Sequence, residues 1–369
     1  MTKKSILILA SGETSPDIRY LTGLSTPDEF IAFRIDDEAG AILSPLEYQR
    51  GKLMAKPGCR VLCDIDCNGP ERMKVLDYIA QKFGVKSFQV PADFPLFWAD
   101  KLRDAGFELV PAPRLLPERE FKTDDEVKLL ADAEIAAQKG ALRAMRVLSE
   151  AAVNNAGEIV WQGEVLTSER LRAEIDTELI RHGMLPTGTI CAGGTQSAYP
   201  HHTGSGTLYA NTPIVMDIFP RSTASGYWGD LTRTVVKGKA PDIVKRAHAA
   251  VCEAKKRSIG QIKIGAIPAE LHGNAEKILA AHGFLTGHND AGDFGFFHGL
   301  GHGVGLEIHE APRISPRNSA PLQGGEVFTV EPGLYYPEWG GIRQEDMVYL
   351  AADGSVIDLA TLPDTLEIP

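Results

Sequence analysis

The chain has 369 residues, of which 43% are hydrophobic and 24% are charged, a composition ordinary for a globular protein and a length sufficient for two domains. Its net charge of -11 leaves no surplus of positive charge for a phosphate backbone, which disfavours nucleic-acid binding. The N-terminal apolar run, residues 5–10, is too short for a signal-peptide core or a membrane span, so we expect a cytoplasmic protein that binds no membrane.

Residues 5–113 alternate short apolar strands with amphipathic stretches such as residues 70–83, which is the pattern of an α/β domain. The proline-rich segment 111–118 predicts a linker. We therefore expect a smaller α/β domain at residues 1–116 and a second domain at residues 117–369.

The second domain opens with a capping box, Thr123 to Glu126, which predicts the start of a long helix. Its spacing predicts one apolar face, formed by Val127, Ala131, Ile135, Leu142, Met145 and Leu148. Three more helices are predicted over residues 167–183, 241–258 and 268–282. Strand-like segments lie between and after them, so the second domain should be α+β, with hairpins that carry most of its polar functional groups.

The cysteines do not indicate a disulfide framework, because five is an odd number in a long chain. Three of them recur every four residues, at Cys59, Cys63 and Cys67, which is not a common zinc spacing. We expect ordinary thiols at these positions and at Cys191 and Cys252.

Three histidines and four glycines lie within HGLGHGVGLEIHE, residues 298–310. A helix is disfavoured because each glycine would cost about 1 kcal/mol there. In a strand, the even positions share one face and the glycines leave room for a close approach from behind. His298 and His302 would then lie roughly 13 Å apart, at about 3.3 Å per residue, so they cannot both bind one ion.

Carboxylates inside apolar strands are costly unless they are paired. Four acidic residues occupy such positions: Asp217, Asp230, Glu331 and Glu345. A hairpin centred between Thr223 and Ala224 would place Asp217 directly opposite Asp230, and two ionised carboxylates so close repel unless a cation separates them. Four carboxylates and one imidazole would suit two divalent ions such as Mn²⁺.

From Thr123 onward, these residues resemble the pita-bread metallopeptidases, a family that includes aminopeptidase P, prolidase and methionine aminopeptidase. The motifs that match are GDLTRT, EPGLY and RQED. The resemblance implies a pita-bread fold and two divalent ions per chain, with Mn²⁺ first and Co²⁺ or Zn²⁺ as alternatives. It implies five metal ligands, in the family's order: Asp217, Asp230, His302, Glu331 and Glu345.

The same resemblance implies roles for residues around these ligands. His201 and His309 would contact the substrate near the scissile carbonyl, with His202 as the alternative to His201, and His298 would bind substrate at the outer rim. Tyr335 and Arg343 would support the ligands. A hydroxide between the two ions would attack the carbonyl, and Glu331 would pass a proton to the leaving nitrogen.

Residues 15–23 resemble the opening of a creatinase-type N-terminal domain, which methionine aminopeptidases lack. We therefore expect a homodimeric exopeptidase that cuts the Xaa-Pro bond of peptides with proline in second position. Prolidase is the near alternative; a creatinase-type C–N hydrolase and an inactive binding module are more remote, since neither needs all five ligands. Arg221 could close the site around a dipeptide's carboxylate, but we expect it to be exposed, which favours longer peptides.

Two departures from the family lie beside the first ligand. Asp217 is followed by Ile218, Phe219 and Pro220 where the family usually has glycine two residues after the aspartate, and the connection to Asp230 is two residues longer than usual. We expect a longer hairpin tip and a different shape in the adjacent pocket.

Overall fold

The computed structural model describes residues 4–290 and 292–369. The chain divides into two compact units, Met1–Arg119 and Glu120–Pro369. In the described part of the chain, every helix is too short or too polar to cross a bilayer. All five cysteines are free thiols, as predicted.

The first unit is built on one six-stranded mixed sheet. Its strands are β1 (Ser5–Ser11), β2 (Glu29–Ile35), β3 (Glu38–Leu43), β4 (Cys59–Cys63), β5 (Ser87–Pro91) and β6 (Glu108–Ala112). Its helices are α1 (Pro16–Thr22), α2 (Pro45–Met54), α3 (Arg72–Phe83) and α4 (Leu96–Asp104). The strand order is β4-β3-β2-β1-β5-β6, with β2 antiparallel to both of its neighbours and the remaining pairs parallel. The predicted α/β class is confirmed.

The second unit contains four long helices at the predicted places: α5 (Asp124–Glu150), α6 (Ser168–Arg181), α7 (Asp242–Ile259) and α8 (Pro268–Ala281). Thr123 caps α5 as predicted, since its hydroxyl accepts the Glu126 N–H at 3.3 Å while the Glu126 carboxylate accepts the Thr123 N–H at 2.9 Å. Along the chain as a whole, short 3-10 helices lie at Asp64–Cys67 in the first unit, at Pro117–Glu120 where the two units meet in sequence, and at Gly194–Ala198 in the second unit.

Two sheets carry the functional part of the second unit. Its strands are β7 (Ala152–Val153), β8 (Ile159–Trp161), β9 (Glu164–Val165), β10 (Met184–Leu185), β11 (Ile190–Gly193), β12 (Ile214–Ile218), β13 (Arg221–Ser222), β14 (Leu231–Lys237), β15 (Gly287–Asn289), β16 (Gly292–Phe294), β17 (Gly301–Gly303), β18 (Glu310–Ile314), β19 (Glu326–Val330), β20 (Gly333–Tyr336), β21 (Gly340–Arg343), β22 (Asp346–Leu350), β23 (Val356–Asp358) and β24 (Glu367–Ile368). The four-stranded sheet has the order β11-β12-β14-β24 and shares a core with α5 and α6. The five-stranded sheet has the order β18-β17-β19-β22-β23 and shares a core with α7 and α8.

The predicted apolar face of α5 is wrong in part. Ile135 and Leu142 are 47% and 52% exposed. The predicted Leu148 is buried, together with Leu130 and Val147, but most of the buried face consists of small residues: Ala133, Ala136, Ala137, Gly140, Ala141 and Ala144. Small side chains allow close packing against α6, since a Cβ on Gly140 would lie only 3.1 Å from Cγ2 of Ile175.

The predicted register of the Asp217 hairpin is also wrong. Asp217 lies opposite Thr232, and Asp230 precedes β14. The reason is a shifted tip, because Arg221 pairs with Trp228 and the turn lies between them. Asp230 and Thr232 still project from the same side of the chain, because side chains two residues apart share a face.

The histidine-rich segment is strand only at Gly301–Gly303, so the prediction of one strand through residues 298–308 is wrong outside that centre. The close approach to its glycines is confirmed. A Cβ on Gly301 would lie 1.9 Å from the Thr329 carbonyl oxygen, and a Cβ on Gly303 would lie 2.0 Å from that of Ala311. Backbone of the neighbouring strands occupies this space, so only glycine fits.

Candidate active site

A cavity of about 780 Å³ lies in the second unit. All ten residues singled out from the sequence as ligands or catalytic groups line it: His201, Asp217, Asp230, His298, His302, His309, Glu331, Tyr335, Arg343 and Glu345. Strands of both sheets, the β20–β21 hairpin and adjoining loops bring them together, although they are as far apart in the sequence as residues 201 and 345.

Acidic side chains surround His302 at the base of this cavity. Its Nε2 lies 3.5 Å from Oδ2 of Asp230 and 3.4 Å from Oε1 of Glu331. Ligand atoms of Asp230, His302 and Glu345 all lie within 4.8 Å of one another, and these three residues are buried. Such a group of buried donors can hold a metal ion.

The electrostatics of the cluster favour a bound cation. Burial and the repulsion of neighbouring carboxylates raise the pKa of Asp230 and Glu331 well above the usual range, and the same causes raise the pKa of Glu345 to about 7. Burial and the nearby His309 lower the pKa of His302 to about 3, so its ring is neutral and able to act as a ligand. This oxygen-rich donor set fits a divalent ion that prefers oxygen and imidazole.

Arg343 joins the first aspartate to the rest of the cluster. Its guanidinium donates to Oδ2 of Asp217 at 2.5 Å, to the Tyr335 hydroxyl at 2.8 Å and to Oγ1 of Thr232 at 3.1 Å. Thr232 in turn donates to Oε2 of Glu345 at 2.6 Å. Arg343 therefore holds Asp217 directly and Glu345 through Thr232, while Tyr335 orients Arg343.

Sequence reasoning missed Thr232 and Thr329. Oγ1 of Thr329 accepts a hydrogen bond from the His302 backbone N–H at 3.2 Å and lies 3.5 Å from Oε1 of Glu331. Strand alternation could have identified both threonines, because side chains two residues apart in a strand share a face. Thr232 lies two residues after Asp230, and Thr329 lies two residues before Glu331.

His298 is held by protein atoms at both ring nitrogens. The Gly299 carbonyl can only accept, so Nδ1 of His298 carries the ring's hydrogen; Nε2 of the neutral ring then accepts a hydrogen bond from the Tyr335 hydroxyl at 3.1 Å. The Nδ1–H of His298 is then donated to the Gly299 carbonyl at 2.7 Å. Burial lowers the pKa of His298 to about 3, so this ring is neutral.

Two other imidazoles face the cavity without such constraints. The ring of His201 makes no hydrogen bond to any residue that the structure describes, whereas Nδ1 of its neighbour His202 accepts the Gly204 N–H at 2.9 Å. The ring of His309 stands edge-on to that of His302, with centroids 4.3 Å apart. His201 and His309 thus line the cavity without a hydrogen bond from their rings to any described residue, whereas His202, which also lines it, has its Nδ1 occupied.

Arg313 is a cavity residue that sequence reasoning did not consider. It lies on β18 opposite His302, is exposed, and forms no ion pair within the described ranges. Arg221, which was considered instead, does not line the cavity, and its Nε donates to the Gly226 carbonyl at 3.4 Å. In the sequence, Arg313 differs from other arginines only in lying four residues after His309.

The fold and the buried acid–histidine cluster define a metal-dependent hydrolase, and comparison with known proteins identifies its family. Residues 132–352 match metallopeptidase family M24, so the chain belongs to that family. Its members use divalent metal ions, and the buried donors described above are the candidate site for them.

Similar proteins cover nearly the whole chain. The Xaa-Pro dipeptidase of Pyrococcus horikoshii is 28% identical over 92% of this chain and 89% of its own length. The Xaa-Pro dipeptidase of Lactobacillus delbrueckii subsp. lactis is 29% identical over 91% and 88%. The crystal structure of the X-Pro aminopeptidase from Thermotoga maritima is 25% identical, covers 99% of this chain and 98% of its own, and superposes with a TM-score of 0.83. The predicted two-domain pita-bread fold is confirmed.

Proposed function

We propose that this protein is a metal-dependent exopeptidase that hydrolyses the N-terminal Xaa-Pro bond of peptides. The observation that carries the proposal is the buried cluster of carboxylates around His302, lying in one cavity with two unconstrained histidines. The names of its relatives, Xaa-Pro dipeptidase and X-Pro aminopeptidase, support the choice of bond.

The proposed ligands are Asp217, Asp230, His302, Glu331 and Glu345. Their four carboxylates would carry a charge that two divalent ions neutralise, and Mn²⁺ is the first choice for an oxygen-rich set. When bound, such ions lower the pKa of water and polarise a peptide carbonyl. Metal analysis of the purified protein tests the number and identity of the ions.

The remaining steps fall to residues of the chain. His309 and His201 would donate hydrogen bonds to the carbonyl oxygen as negative charge develops on it. Glu331, at the cavity base, would deliver a proton to the proline nitrogen, which carries no hydrogen of its own before cleavage. Arg343 and Tyr335 would keep Asp217 oriented through the hydrogen bonds described above.

Substrate length separates two candidate functions. An aminopeptidase acting on longer peptides is supported by a cavity of about 780 Å³, which leaves room beyond a dipeptide. A prolidase is favoured by Arg313, because an exposed guanidinium in the cavity can hold the free carboxylate of a dipeptide.

The test compares kcat/KM for an Xaa-Pro dipeptide and a matched Xaa-Pro-Xaa peptide, in the wild type and in Arg313→Ala. We expect the tripeptide to be cleaved at least as well. A dipeptide preference of tenfold or more, about 1.4 kcal/mol of transition-state binding, that disappears in Arg313→Ala assigns a prolidase. Cleavage of Met-Ala peptides with none of Xaa-Pro would overturn both functions.

The proposal includes a homodimer and a domain boundary between residues 116 and 117, both of which rest on the sequence. Sedimentation equilibrium tests the first, and limited proteolysis at the linker tests the second. The cytoplasmic location stays a prediction.

A further inference from the structure

Phe219 forms a fixed wall of the cavity beside Asp217. It lies one residue after β12 and two residues after Asp217, so both side chains project towards the cavity. Its ring lies over Gly188, where an added Cβ would be 3.8 Å from the ring's Cζ. The Phe219 carbonyl accepts a hydrogen bond from Oγ1 of Thr187 at 2.7 Å, which holds the backbone as well.

Two more residues with largely apolar side chains line the same cavity. Ile190 pairs with Asp217 across β11 and β12 and lines the same cavity. Tyr199, which is 56% exposed, lines it too. The side of the cavity on the four-stranded sheet therefore carries an apolar wall beside the carboxylates of Asp217 and Asp230.

The five-stranded sheet contributes Glu331 and Glu345 to the cavity, and it also contributes an exposed arginine. His302 and Arg313 face each other there on β17 and β18, and His309 follows in the connecting segment. A peptide has a cationic amine at the end before the scissile bond, and a short one has a carboxylate beyond it. Charge complementarity directs the carboxyl end of a short peptide towards Arg313, which leaves the end with the amine and the first residue towards the four-stranded sheet.

This orientation places the side chain of the first substrate residue against Phe219. We propose that Phe219 determines which residue is accepted before proline, and that it selects apolar side chains such as leucine over alanine and over charged residues. The inference rests on the proposed Xaa-Pro activity and adds the class of the first residue to it. Contact with the ring removes apolar surface from water, which a small or charged side chain cannot match.

The experiment measures kcat/KM for Leu-Pro, Ala-Pro and Asp-Pro peptides, each as a dipeptide and as a tripeptide, in the wild type and in Phe219→Ala. We expect the wild type to prefer leucine. In Phe219→Ala, cleavage of the Leu-Pro peptides should fall at least tenfold, while cleavage of the Ala-Pro peptides should change less than threefold. Metal content, measured on the same samples, should stay at the wild-type level.

Phe297 provides a matched control, because this aromatic residue also lines the cavity but packs against His298 and Tyr335. Phe297→Ala should leave the ratio of Leu-Pro to Ala-Pro cleavage within threefold of the wild type. A second variant, Phe219→Leu, keeps the wall apolar but opens the space of the ring. Its ratio of Phe-Pro to Leu-Pro cleavage should rise at least threefold.

The outcomes separate the two proposals. A wild-type protein that cleaves no Xaa-Pro peptide contradicts the proposed function. A wild type that cleaves these peptides without an apolar preference, or with a preference unchanged by both Phe219 variants, overturns the role of Phe219 alone.

Discussion

The buried carboxyl groups make metal binding at this site a competition with protons. Burial and mutual repulsion raise the pKa of Asp230, Glu331 and Glu345, the last to about 7, when no cation is near. A protonated carboxyl group has lost the charge that attracts a divalent ion. Metal binding must therefore release protons from these groups at and below neutral pH.

We predict that the affinity for Mn²⁺ falls as the pH is lowered from 8 to 6. Each displaced proton should weaken binding by about tenfold per pH unit in the range where the group is protonated. Calorimetric titration of metal-free protein at pH 6, 7 and 8, in two buffers of different ionisation enthalpy, measures both affinity and proton release. An affinity that is constant over this range would contradict the assignment of these carboxylates as ligands.

The histidines should separate into a ligand and substrate-binding groups. We predict that His302→Ala lowers metal content, whereas His309→Ala and His201→Ala keep the metal and lose about 10²-fold in kcat, as for a lost oxyanion donor. His202→Ala is the control, because the His202 ring is tied to its own loop, and it should keep most of the activity. Metal depletion in His309→Ala would show that the roles are assigned wrongly.

At the scale of single elements, the long segment between β17 and β18 carries His309 without regular structure of its own. Trp228 binds it from one side, donating its backbone N–H to the Gly305 carbonyl and its indole N–H to that of Leu306, both at 3.1 Å. Glu310 fixes its end, in a buried ion pair with Lys122 whose Nζ–Oε1 distance is 2.6 Å. The hairpin tip and the start of the domain thus position the histidine that we propose to be catalytic.

We predict that Lys122→Met destabilises the protein by about 3 to 5 kcal/mol, because it removes one partner of a buried ion pair. The second effect should be a lower kcat through displacement of His309, with unchanged metal content. The double variant Lys122→Met, Glu310→Gln removes the buried charge and should recover most of the stability. Urea denaturation and steady-state kinetics on the three proteins check this, and equal stability of the single and double variants would count against it.

Several elements could be predicted because their signals are local. The capping box at Thr123 and the pattern of residues 167–183 defined helices without knowledge of the fold, and Leu171, Ile175 and Leu179 form the buried face of the second. Acids inside apolar strands defined the candidate ligands, because a buried charge requires a partner. In each case, one short stretch of sequence contains the whole physical reason.

Other features depend on contacts between distant segments. The buried face of α5 could not be recognised, because its alanines are buried only where α6 packs closely. The hairpin register depended on the pairing of Arg221 with Trp228. This pairing makes Thr232, rather than the predicted Asp230, the cross-strand partner of Asp217. Arg313 became visible only once β18 was placed beside His302.

On the scale of the whole molecule, the proposed ligands connect the two sheets of the second unit. Asp217 on β12 and Asp230 before β14 come from the four-stranded sheet. His302 on β17 and Glu331 after β19 come from the five-stranded sheet, and Glu345 precedes β22. None of the proposed ligands lies in residues 4–119. Metal binding should therefore act as a crosslink within the second unit.

We predict that metal binding slows amide hydrogen exchange in β12, β14, β17, β19 and β22 and leaves the first unit unchanged. A ligand at about 100 times its Kd stabilises the state that binds it by about 2.7 kcal/mol, which corresponds to about 100-fold slower exchange for amides exposed only when the site opens. Mass spectrometry of chelator-treated and Mn²⁺-loaded protein measures both units in one sample, so peptides from β1 to β6 are the internal control. Equal slowing in both units would place the stabilising ion elsewhere, and no slowing in either would mean that the carboxylates are neutralised by protons rather than by metal.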